Sequence, residues 1–440
     1  MEEERVHSRH SSMHHLRTSS DVGLVEKVKL TDNLKHKTVM VMVGLPARGK
    51  SYIVKMLHRY LNWTGYNTRI FNAGDYRREQ GFAGATADFF NDNNSLRNLF
   101  AALALDDLFK FLLEEDGDVG IFDATNTTRA RRADILERCG HADLDVLFIE
   151  SICNDKNVLN QNYEMKLKSP DYIGISRDVA LRDFMKRVRQ YEDMYEPLDE
   201  THDCKYSYIK LYNVGEYLKA NRCNGVLASD VIFYLLNIHI KQRKIWLCIH
   251  GETDYTAQGI LGGNPKLNDR GVAFSKKLYE FIHNQQVDNI LIMSDTISRC
   301  VDTVRSLRQE YHVEYTRLLC ELGGGDFDKM TYDDIKTKYP EEYQKRKENK
   351  LLYRYPGVGG ESYKDVIERL NKIIVRIEGC RDNVLIVAHR AVIRVILAYF
   401  LDTPQSELPD IDVEMNCIYE LNPNTYSTIL KPPYHLDPEL

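Results

Sequence analysis

Glycines, a lysine and a serine stand at a spacing that suits phosphate binding near the start of the chain. An apolar run precedes them and a helical pattern follows, and this is the context that the pattern G-x-x-x-x-G-K-[ST] requires. In such a loop the backbone N–H groups surround phosphate oxygens, the lysine reaches the outer phosphates, and the serine hydroxyl faces Mg²⁺. We therefore predict a nucleoside triphosphate site at Gly44, Leu45, Pro46, Ala47, Arg48, Gly49, Lys50 and Ser51.

A carboxylate that could complete a metal site ends a second apolar run. Asp123 follows the residues Val119-Gly120-Ile121-Phe122, where a Walker-B aspartate would stand. The alternative is that Asp123 only caps the next turn. Together with Ser51 it predicts a Mg²⁺ site.

Basic side chains follow several predicted strands. Each alone is typical of a solvated charge, but ligands of α/β sheets bind at the carboxyl ends of strands, and arginines there suit phosphate. Their shared position favours a second anion beside the nucleotide, namely a phosphorylated acceptor. The basic residues concerned are Arg77, Arg78, Arg97, Arg129, Arg131, Arg132, Lys186, Arg187 and Arg189, and the polar residues Thr125, Asn126, Thr127 and Thr128 directly precede the segment that carries three of them.

Two histidines end predicted strands in the second half of the chain. His250 follows Cys248-Ile249, and His389 follows Val387-Ala388. A lone histidine is usually structural, but two at strand ends, with Arg299 and Glu321 in the same half, resemble a nucleophile and an acid for phosphoryl transfer through histidine. Spacing alone leaves the structural alternative open.

Short β-branched runs alternate with amphipathic stretches, which predicts α/β architecture with mostly parallel sheets. The series begins twice, so we place a boundary near Gln242 between two α/β domains, at 36–242 and 243–430, flanked by tails at 1–35 and 431–440. Strands are predicted at Thr38–Val43, Thr68–Asn72, Val119–Asp123, Leu144–Glu150, Tyr208–Asn213, Ile245–Ile249, Asn289–Met293 and Asn383–Ala388. Helices are predicted near Arg270–Phe281, Ser298–Gln309, Glu361–Ile377 and Ala391–Leu401.

Composition excludes several classes of protein. The 440 residues carry a net charge of -6, which argues against a nucleic-acid or acidic-lipid surface. The longest apolar stretch, Val392 to Leu401, is too short for a membrane span, and the polar N-terminus predicts no secretory signal. Nine cysteines without a C-x-x-C pair indicate reduced thiols. We expect a cytoplasmic protein without membrane partners.

The first 35 residues are rich in His, Ser and Arg and lack periodicity, so they are predicted to be disordered. They form either a solvated arm or a regulated one, because Arg17-Thr18-Ser19-Ser20 places hydroxyls after a base, where a protein kinase could add phosphate.

The combination of motifs resembles the 6-phosphofructo-2-kinase/fructose-2,6-bisphosphatase family. The matching segments, in order, are Gly44–Ser51, Phe71–Glu79, Phe122–Arg129, Ser169–Tyr172 and His250–Glu252. The resemblance implies an N-terminal P-loop kinase domain followed by a histidine-phosphatase domain of the phosphoglycerate-mutase-like kind. The first would make fructose 2,6-bisphosphate from ATP and fructose 6-phosphate, the second would remove the 2-phosphate, and the chain would form a homodimer through the kinase domain.

The resemblance also assigns kinase residues. Lys50, Ser51 and Asp123 would handle ATP and Mg²⁺, Cys153 would lie in the active centre, and Lys166 would be near the nucleotide phosphates. Fructose 6-phosphate would contact Arg77, Arg78, Arg97, Thr125, Arg131, Arg187 and Tyr191.

In the phosphatase half the chain departs from the family pattern Arg-His-Gly-Glu, because Ile249 stands where the arginine belongs. A basic residue after the glycine turn is replaced by Ile260, and a glutamine after the second histidine by Arg390. The sequence retains the other residues of the family pattern. By resemblance, His250 would be the nucleophile, Glu321 the general acid, and Arg299 and His389 phosphate ligands. Sugar-phosphate contacts would be made by Tyr332, Arg346, Lys350, Tyr363 and Arg394.

Losing one charge-assisted phosphate contact costs roughly 2–4 kcal/mol, or about 10²–10³ in rate. We therefore predict a dominant kinase with a weak or inactive bisphosphatase. The alternatives are a fully bifunctional enzyme in which Arg390 compensates, and a non-catalytic sugar-phosphate sensor or scaffold, which intact Lys50, Ser51 and Asp123 argue against. A polynucleotide kinase–phosphatase is disfavoured by the acidic balance of charge.

Overall fold

Two β-sheets form the framework of the molecule in a computed structural model that describes residues 37–82, 94–424 and 427–436. The first is a six-stranded sheet of order β2-β3-β1-β4-β5-β6, and the second contains seven strands, β12-β11-β7-β10-β8-β9 with β13 paired to β11. The strands are β1 (Thr38–Val43), β2 (Thr68–Asn72), β3 (Val119–Asp123), β4 (Asp145–Ile152), β5 (Tyr208–Tyr212), β6 (Tyr217–Asn221), β7 (Ile245–Ile249), β8 (Ile290–Ser294), β9 (Val313–Tyr315), β10 (Asn383–Ala388), β11 (Cys417–Pro423), β12 (Thr428–Leu430) and β13 (Tyr434–His435).

Helices connect and cover the strands. In the first half they are α1 (Lys50–Thr64), α2 (Ala73–Arg77), α3 (Asn94–Glu114), α4 (Arg129–His141), α5 (Lys156–Leu167), α6 (Arg177–Asp193) and α7 (Val226–Leu235). In the second half they are α8 (Asp254–Gln258), α9 (Asp269–Asn284), α10 (Ser298–Thr303), α11 (Tyr332–Lys338), α12 (Pro340–Glu348), α13 (Tyr363–Glu378) and α14 (Arg390–Leu401).

The first sheet brings its catalytic candidates together through parallel pairing. Every residue of β1 is buried, because helices cover both faces of this central strand. Strand β1 pairs in parallel with β3 and β4, and β2 pairs with β3 so that Asn72 stands opposite Asp123. The loop after β1, the end of β2 and the end of β3 therefore meet at one edge of the sheet.

In the second sheet, parallel pairing likewise brings the two histidines together. Strand β10 lies between β7 and β8 and is parallel to both, with Ala388 opposite Ile249 and Val387 opposite Ser294. The residues that follow these strands, His250, His389 and Asp295, consequently emerge side by side. Strand β11 pairs antiparallel with β7 on its other side.

Helix α1 links the two halves. It begins at the phosphate-binding loop of the first half, and its far end packs against α13 and α14 in one buried apolar cluster. There Trp63 donates a hydrogen bond from Nε1 to the carbonyl of Val395, 3.1 Å away. The side chains of Arg59 and Arg243 both pair with the buried carboxylate of Glu378, at 2.7 and 3.0 Å. The two sheets thus share part of their core.

The predicted helix Ser298–Gln309 is wrong in its length, because α10 ends at Thr303 and a separate 3₁₀ turn covers Leu307–Gln309. The hydroxyl of Thr303 donates to the carbonyl of Arg299 at 2.7 Å, a contact that bends and weakens a helix. Strand β13 also places residues 434 and 435 in the second sheet, inside the predicted tail.

None of the helices in the described segments is long and apolar enough to span a bilayer. The N-terminal residues 1–35, including Thr18, Ser19 and Ser20, lie outside the described residues.

Candidate active sites

The loop between β1 and α1 depends on two glycines with positive φ. Gly44 has φ +133, and a Cβ there would lie 2.6 Å from the carbonyl oxygen of Ser151 on β4. Gly49, with φ +88, is the N-cap of α1. A side chain at either position would strain the loop, so glycine is needed to turn the backbone N–H groups inward.

Lys50 is buried at the start of α1 and donates to the carbonyls of Gly44 and Leu45 at 2.8 and 2.6 Å. Burial lowers the pKa of Lys50 to about 7, and the charges of Lys166 and Arg48 act in the same direction against the opposing Asp123. Burial lowers the pKa of Lys166 as well. An anion in this loop would raise the pKa of both lysines.

Asp123 lies beside Lys50 with a set of oxygen and amide partners. Its Oδ2 accepts from Asn72 Nδ2 at 2.7 Å and from Ser51 Oγ at 3.4 Å. Burial raises the pKa of Asp123, while Lys50 and Lys166 pull it down. A carboxylate and a hydroxyl are oxygen ligands of the kind that Mg²⁺ prefers, so these residues fit a Mg²⁺ ion bound with nucleotide.

A cavity of about 550 Å³ opens in front of this loop and collects most of the predicted kinase residues. At its wall Arg77 is buried and pairs with both carboxylate oxygens of Asp171 at 2.6 Å, and Arg78 lies 3.7 Å from the same carboxylate. The predicted residues that line the cavity are Pro46, Ala47, Gly49, Lys50, Ser51, Arg77, Arg78, Asp123, Thr125, Arg131, Lys166, Arg187 and Tyr191.

Several predicted residues are not among those that line this cavity: Gly44, Leu45, Arg48, Arg97, Arg129, Arg132, Cys153, Lys186 and Arg189. The side chain of Arg48 donates a hydrogen bond to the hydroxyl of Tyr163 and pairs with Glu192 at 3.2 Å. The thiol of Cys153 is buried near the carbonyl of Asp155, and burial raises its pKa, which favours the neutral thiol. The side chain of Arg97 lies outside the described residues.

In the second half, His250 is arranged as a nucleophile. Its Nδ1 lies 2.8 Å from the carbonyl of Gly251, which can only accept, so Nδ1 carries the proton and Nε2 keeps a free lone pair. Burial, with His389 and Arg299 nearby, lowers the pKa of His250 well below its usual value. The two imidazole rings lie 5.1 Å apart.

His389 lies between two carboxylates. Its Nδ1 is 3.1 Å from Glu321 and its Nε2 is 2.9 Å from Asp295. Burial alone would lower the pKa of His389, but Cys300, Glu321 and the hydrogen bond with Asp295 raise it well above its usual value. In turn the imidazolium of His389, aided by Arg299, overcomes burial and lowers the pKa of Glu321 to about 2.

The sequence is similar to known proteins over nearly the whole chain. A family model described as 6-phosphofructo-2-kinase matches residues 26–242, and one described as histidine phosphatase superfamily (branch 1) matches residues 245–431. A 6-phosphofructo-2-kinase/fructose-2,6-bisphosphatase of Caenorhabditis elegans is 41% identical over 93% of this chain and 91% of its own length. The chain belongs to the 6-phosphofructo-2-kinase/fructose-2,6-bisphosphatase family. It is therefore an enzyme with a P-loop kinase half and a histidine phosphatase half.

Two further relatives and one solved structure are also similar to this chain. The rat 6-phosphofructo-2-kinase/fructose-2,6-bisphosphatase 4 is 43% identical over 88% of this chain and 83% of that protein. The protein named 6-phosphofructo-2-kinase 1 of Saccharomyces cerevisiae is 39% identical over 93% of this chain and 53% of its own length. Among solved structures, the alpha-ribazole phosphatase of Shigella flexneri overlaps 44% of this chain and 96% of its own, with a TM-score of 0.38 and 22% identity.

The phosphatase half of this family member has an aliphatic side chain beside its histidine. Ile249 is 2% exposed and belongs to the apolar cluster that also contains Ala388 and Ile393. Arg390 is exposed in the first turn of α14 and makes no hydrogen bond or ion pair with any described residue. Arg299 donates to the carbonyl of Gly263 at 2.8 Å and brings a guanidinium group within 3.4 Å of His389.

The predicted sugar-phosphate contacts form a second group in this half. Arg346 donates to the hydroxyls of Tyr332 and Tyr355 at 2.9 and 2.8 Å, and Arg394 donates to that of Tyr363 at 3.2 Å. These arginines lie close enough to influence the pKa of Tyr363, which burial raises. Lys350 pairs with Asp410. Ile260 makes an isolated β-bridge with Thr331.

Sequence reasoning gave no role to three residues that contact these centres. Asn72 holds Asp123, Asp171 pairs with Arg77, and Asp295 pairs with His389. Asn72 and Asp295 each come at or just after the end of a strand, which is the same signal that pointed to Asp123 and His389.

Proposed function

We propose that this protein transfers the γ-phosphoryl group of ATP to the 2-hydroxyl of D-fructose 6-phosphate and releases ADP and fructose 2,6-bisphosphate. The observation that carries the proposal is the cavity in which Lys50, Ser51 and Asp123 face a set of arginines. The names of the relatives support the choice of sugar phosphate.

The residues of the cavity divide into two tasks in this proposal. Lys50 and the backbone of the loop hold the outer phosphates, while Ser51 and Asp123 hold Mg²⁺, which neutralises phosphate charge when it is bound. The arginines around Asp171 fix the 6-phosphate of the acceptor and so bring its 2-hydroxyl in line with the γ-phosphate. Desolvation in the cavity strengthens each of these charge contacts.

A coupled assay tests the kinase. The purified chain with ATP, Mg²⁺ and fructose 6-phosphate should form fructose 2,6-bisphosphate, and Lys50→Met should lower kcat/KM by about 10²-fold or more. The matched control is Lys55→Met, an exposed lysine on the same helix, which should keep the parent rate. Transfer to a different sugar phosphate, or no loss with Lys50→Met, would contradict the proposal.

We further propose that the phosphatase half is weak or inactive. Ile249 stands in the position of a phosphate-binding arginine, and exposed Arg390 makes no hydrogen bond or ion pair with a described residue that would hold it at this centre. The low pKa of Glu321 supports the same view, because an ionised carboxylate cannot donate a proton to the departing sugar oxygen.

Phosphate release from fructose 2,6-bisphosphate without ATP tests this point. The parent chain should be nearly silent, and Ile249→Arg should raise the rate by orders of magnitude, up to about 10²–10³. A parent chain that already turns over as fast as the variant would instead establish a fully bifunctional enzyme. Arg390→Ala in the same assay then asks whether Arg390 supplies the missing charge.

The remaining expectations belong to this proposal too. They are a division into domains at 36–242 and 243–430, a homodimer through the kinase half, a cytoplasmic location, and phosphorylation of the N-terminal segment by a protein kinase.

A further inference from the structure

The phosphatase centre contains a carboxylate for which the proposed reaction has no use. Asp295 is 0% exposed, follows β8 directly, and faces the Nε2 atom of His389 at 2.9 Å. Its other oxygen accepts the backbone N–H of Thr296 at 2.6 Å. Because Glu321 already occupies the Nδ1 side of His389, the imidazolium is held by carboxylates at both of its nitrogens.

The charges of this centre cancel. Arg299 and His389 are the two cations, Asp295 and Glu321 are the two carboxylates, and His250 is neutral because its pKa is depressed. Exposed Arg390 makes no ion pair with a described residue. A phosphate dianion entering this centre would meet two cations and two anions in a desolvated environment, where like charges repel most strongly.

We propose that Asp295 is a second determinant, alongside Ile249, that excludes a phosphate dianion from the 2-phosphate position of this centre. The proposal rests on the proposed phosphatase role of this half and deepens it. Ile249 withholds a positive charge, whereas Asp295 adds a buried negative one beside the imidazolium of His389. Restoring the arginine alone therefore leaves the centre only partly repaired.

The residues predicted to contact the sugar phosphate are independent of Asp295. Arg346 and Arg394 are held by tyrosines and belong to helices other than the segment that carries Asp295. Asp295 should consequently discriminate between ligands with and without a phosphate at the 2-position, and should leave the affinity for a sugar monophosphate alone.

The test compares the full chain carrying Ile249→Arg with the same chain carrying Ile249→Arg and Asp295→Ser. The Asp295→Ser substitution removes the negative charge of the carboxylate, and the serine hydroxyl can still accept a hydrogen bond from Nε2 of His389. The added substitution should raise kcat/KM for fructose 2,6-bisphosphate hydrolysis by about 10-fold or more, and should lower the inhibition constant of inorganic phosphate by a similar factor. The inhibition constant of fructose 6-phosphate should change by less than about 2-fold.

Three further variants guard against trivial effects. Asp295→Asn repeats the removal of charge with a side chain of the same size, and Asp295→Glu keeps the charge and should give no gain. Asp302→Ser removes a carboxylate of α10 that pairs with Arg305, and it should leave the inhibition by phosphate unchanged. Unfolding midpoints of all variants report whether each one folds.

The outcomes separate the two proposals. If Ile249→Arg restores full hydrolysis and removing the Asp295 carboxylate adds nothing, the role of Asp295 is wrong and the role of Ile249 stands. If the parent chain is already fast but loss of the Asp295 charge still tightens phosphate, the inactive phosphatase is wrong and the role of Asp295 stands. Equal tightening of phosphate and fructose 6-phosphate would also overturn the Asp295 proposal.

Discussion

Lys50 links phosphate binding to proton binding. Its pKa of about 7 in the free loop comes mainly from burial, and the phosphates of a nucleotide would raise that pKa by placing negative charge beside the ammonium group. At pH 8 the free lysine is mostly neutral and the bound lysine is charged, so nucleotide binding should take up close to one proton. Below about pH 6 both forms are charged and the uptake should vanish.

Calorimetric titration with MgATP in two buffers of different ionisation enthalpy measures this uptake. Lys50→Arg is the control, because an arginine stays charged throughout this range and should abolish the pH-dependent part. Proton release, or an uptake that is the same at pH 6 and pH 8, would contradict the assignment.

At the scale of single residues, prediction succeeds where the chemistry is contiguous in sequence. Gly44–Ser51 could be predicted because the loop, its lysine and its serine are consecutive, and His250 because it ends an apolar strand. The pairing of Asp171 with Arg77 spans 94 positions, and that of Asp295 with His389 also spans 94. Such pairs depend on the packing of distant elements, which local pattern cannot supply.

At the scale of elements, α13 presents a buried carboxylate that two halves of the chain share. Glu378 accepts from Arg59 of α1, from Arg243 before β7, and from the hydroxyl of Tyr399 on α14, all within 3.0 Å. Glu378→Ala should therefore lower the free energy of unfolding by about 3–5 kcal/mol, because it leaves two guanidinium groups buried without a counter-charge.

Denaturant unfolding measures the loss, with Glu368→Ala as control because Glu368 is exposed on the same helix. The control should remain within about 0.5 kcal/mol of the parent protein. A similar small effect for Glu378→Ala would show that water reaches the two arginines and replaces the carboxylate.

Strands buried on both faces were predictable, whereas most strands at or near a sheet edge were not, with the exception of β2. Strands β1 and β10 are continuous apolar runs because both faces are covered, and their predicted bounds agree with the structure. Strand β6 is an edge strand of mostly exposed side chains and was missed. Strands β9, β11, β12 and β13 were also missed, since three of them have only two or three residues and β11 is antiparallel to its neighbours.

At the scale of the whole molecule, the shared core predicts that both halves unfold together. The chain has two tryptophans, Trp63 in α1 and Trp246 in β7, and both are buried. Trp246→Phe leaves a fluorescent probe in the kinase half, and Trp63→Phe leaves one in the phosphatase half. The two transitions in urea should coincide with each other and with circular dichroism, because α1, α13 and α14 lose the same cluster at once.

The circular dichroism transitions of the parent chain and of each variant are compared as a control, because they show how much each tryptophan substitution itself destabilises the protein. A contradictory result would be two fluorescence midpoints that are separated by more urea than the circular dichroism midpoints of the two variants. That result would show that the halves unfold independently.

The packing of α1 against α13 and α14 sets different constraints on the two faces of the phosphatase half. On the face that holds His250 and Asp295, the ion pairs of His389 run to Asp295 and Glu321, which belong to the same half. The opposite face, where Trp63 contacts Val395, must keep its shape for the nucleotide-binding helix to stay seated. A half of this kind can lose its reaction over evolutionary time and still be retained, as a scaffold without which the remaining enzyme would not hold together.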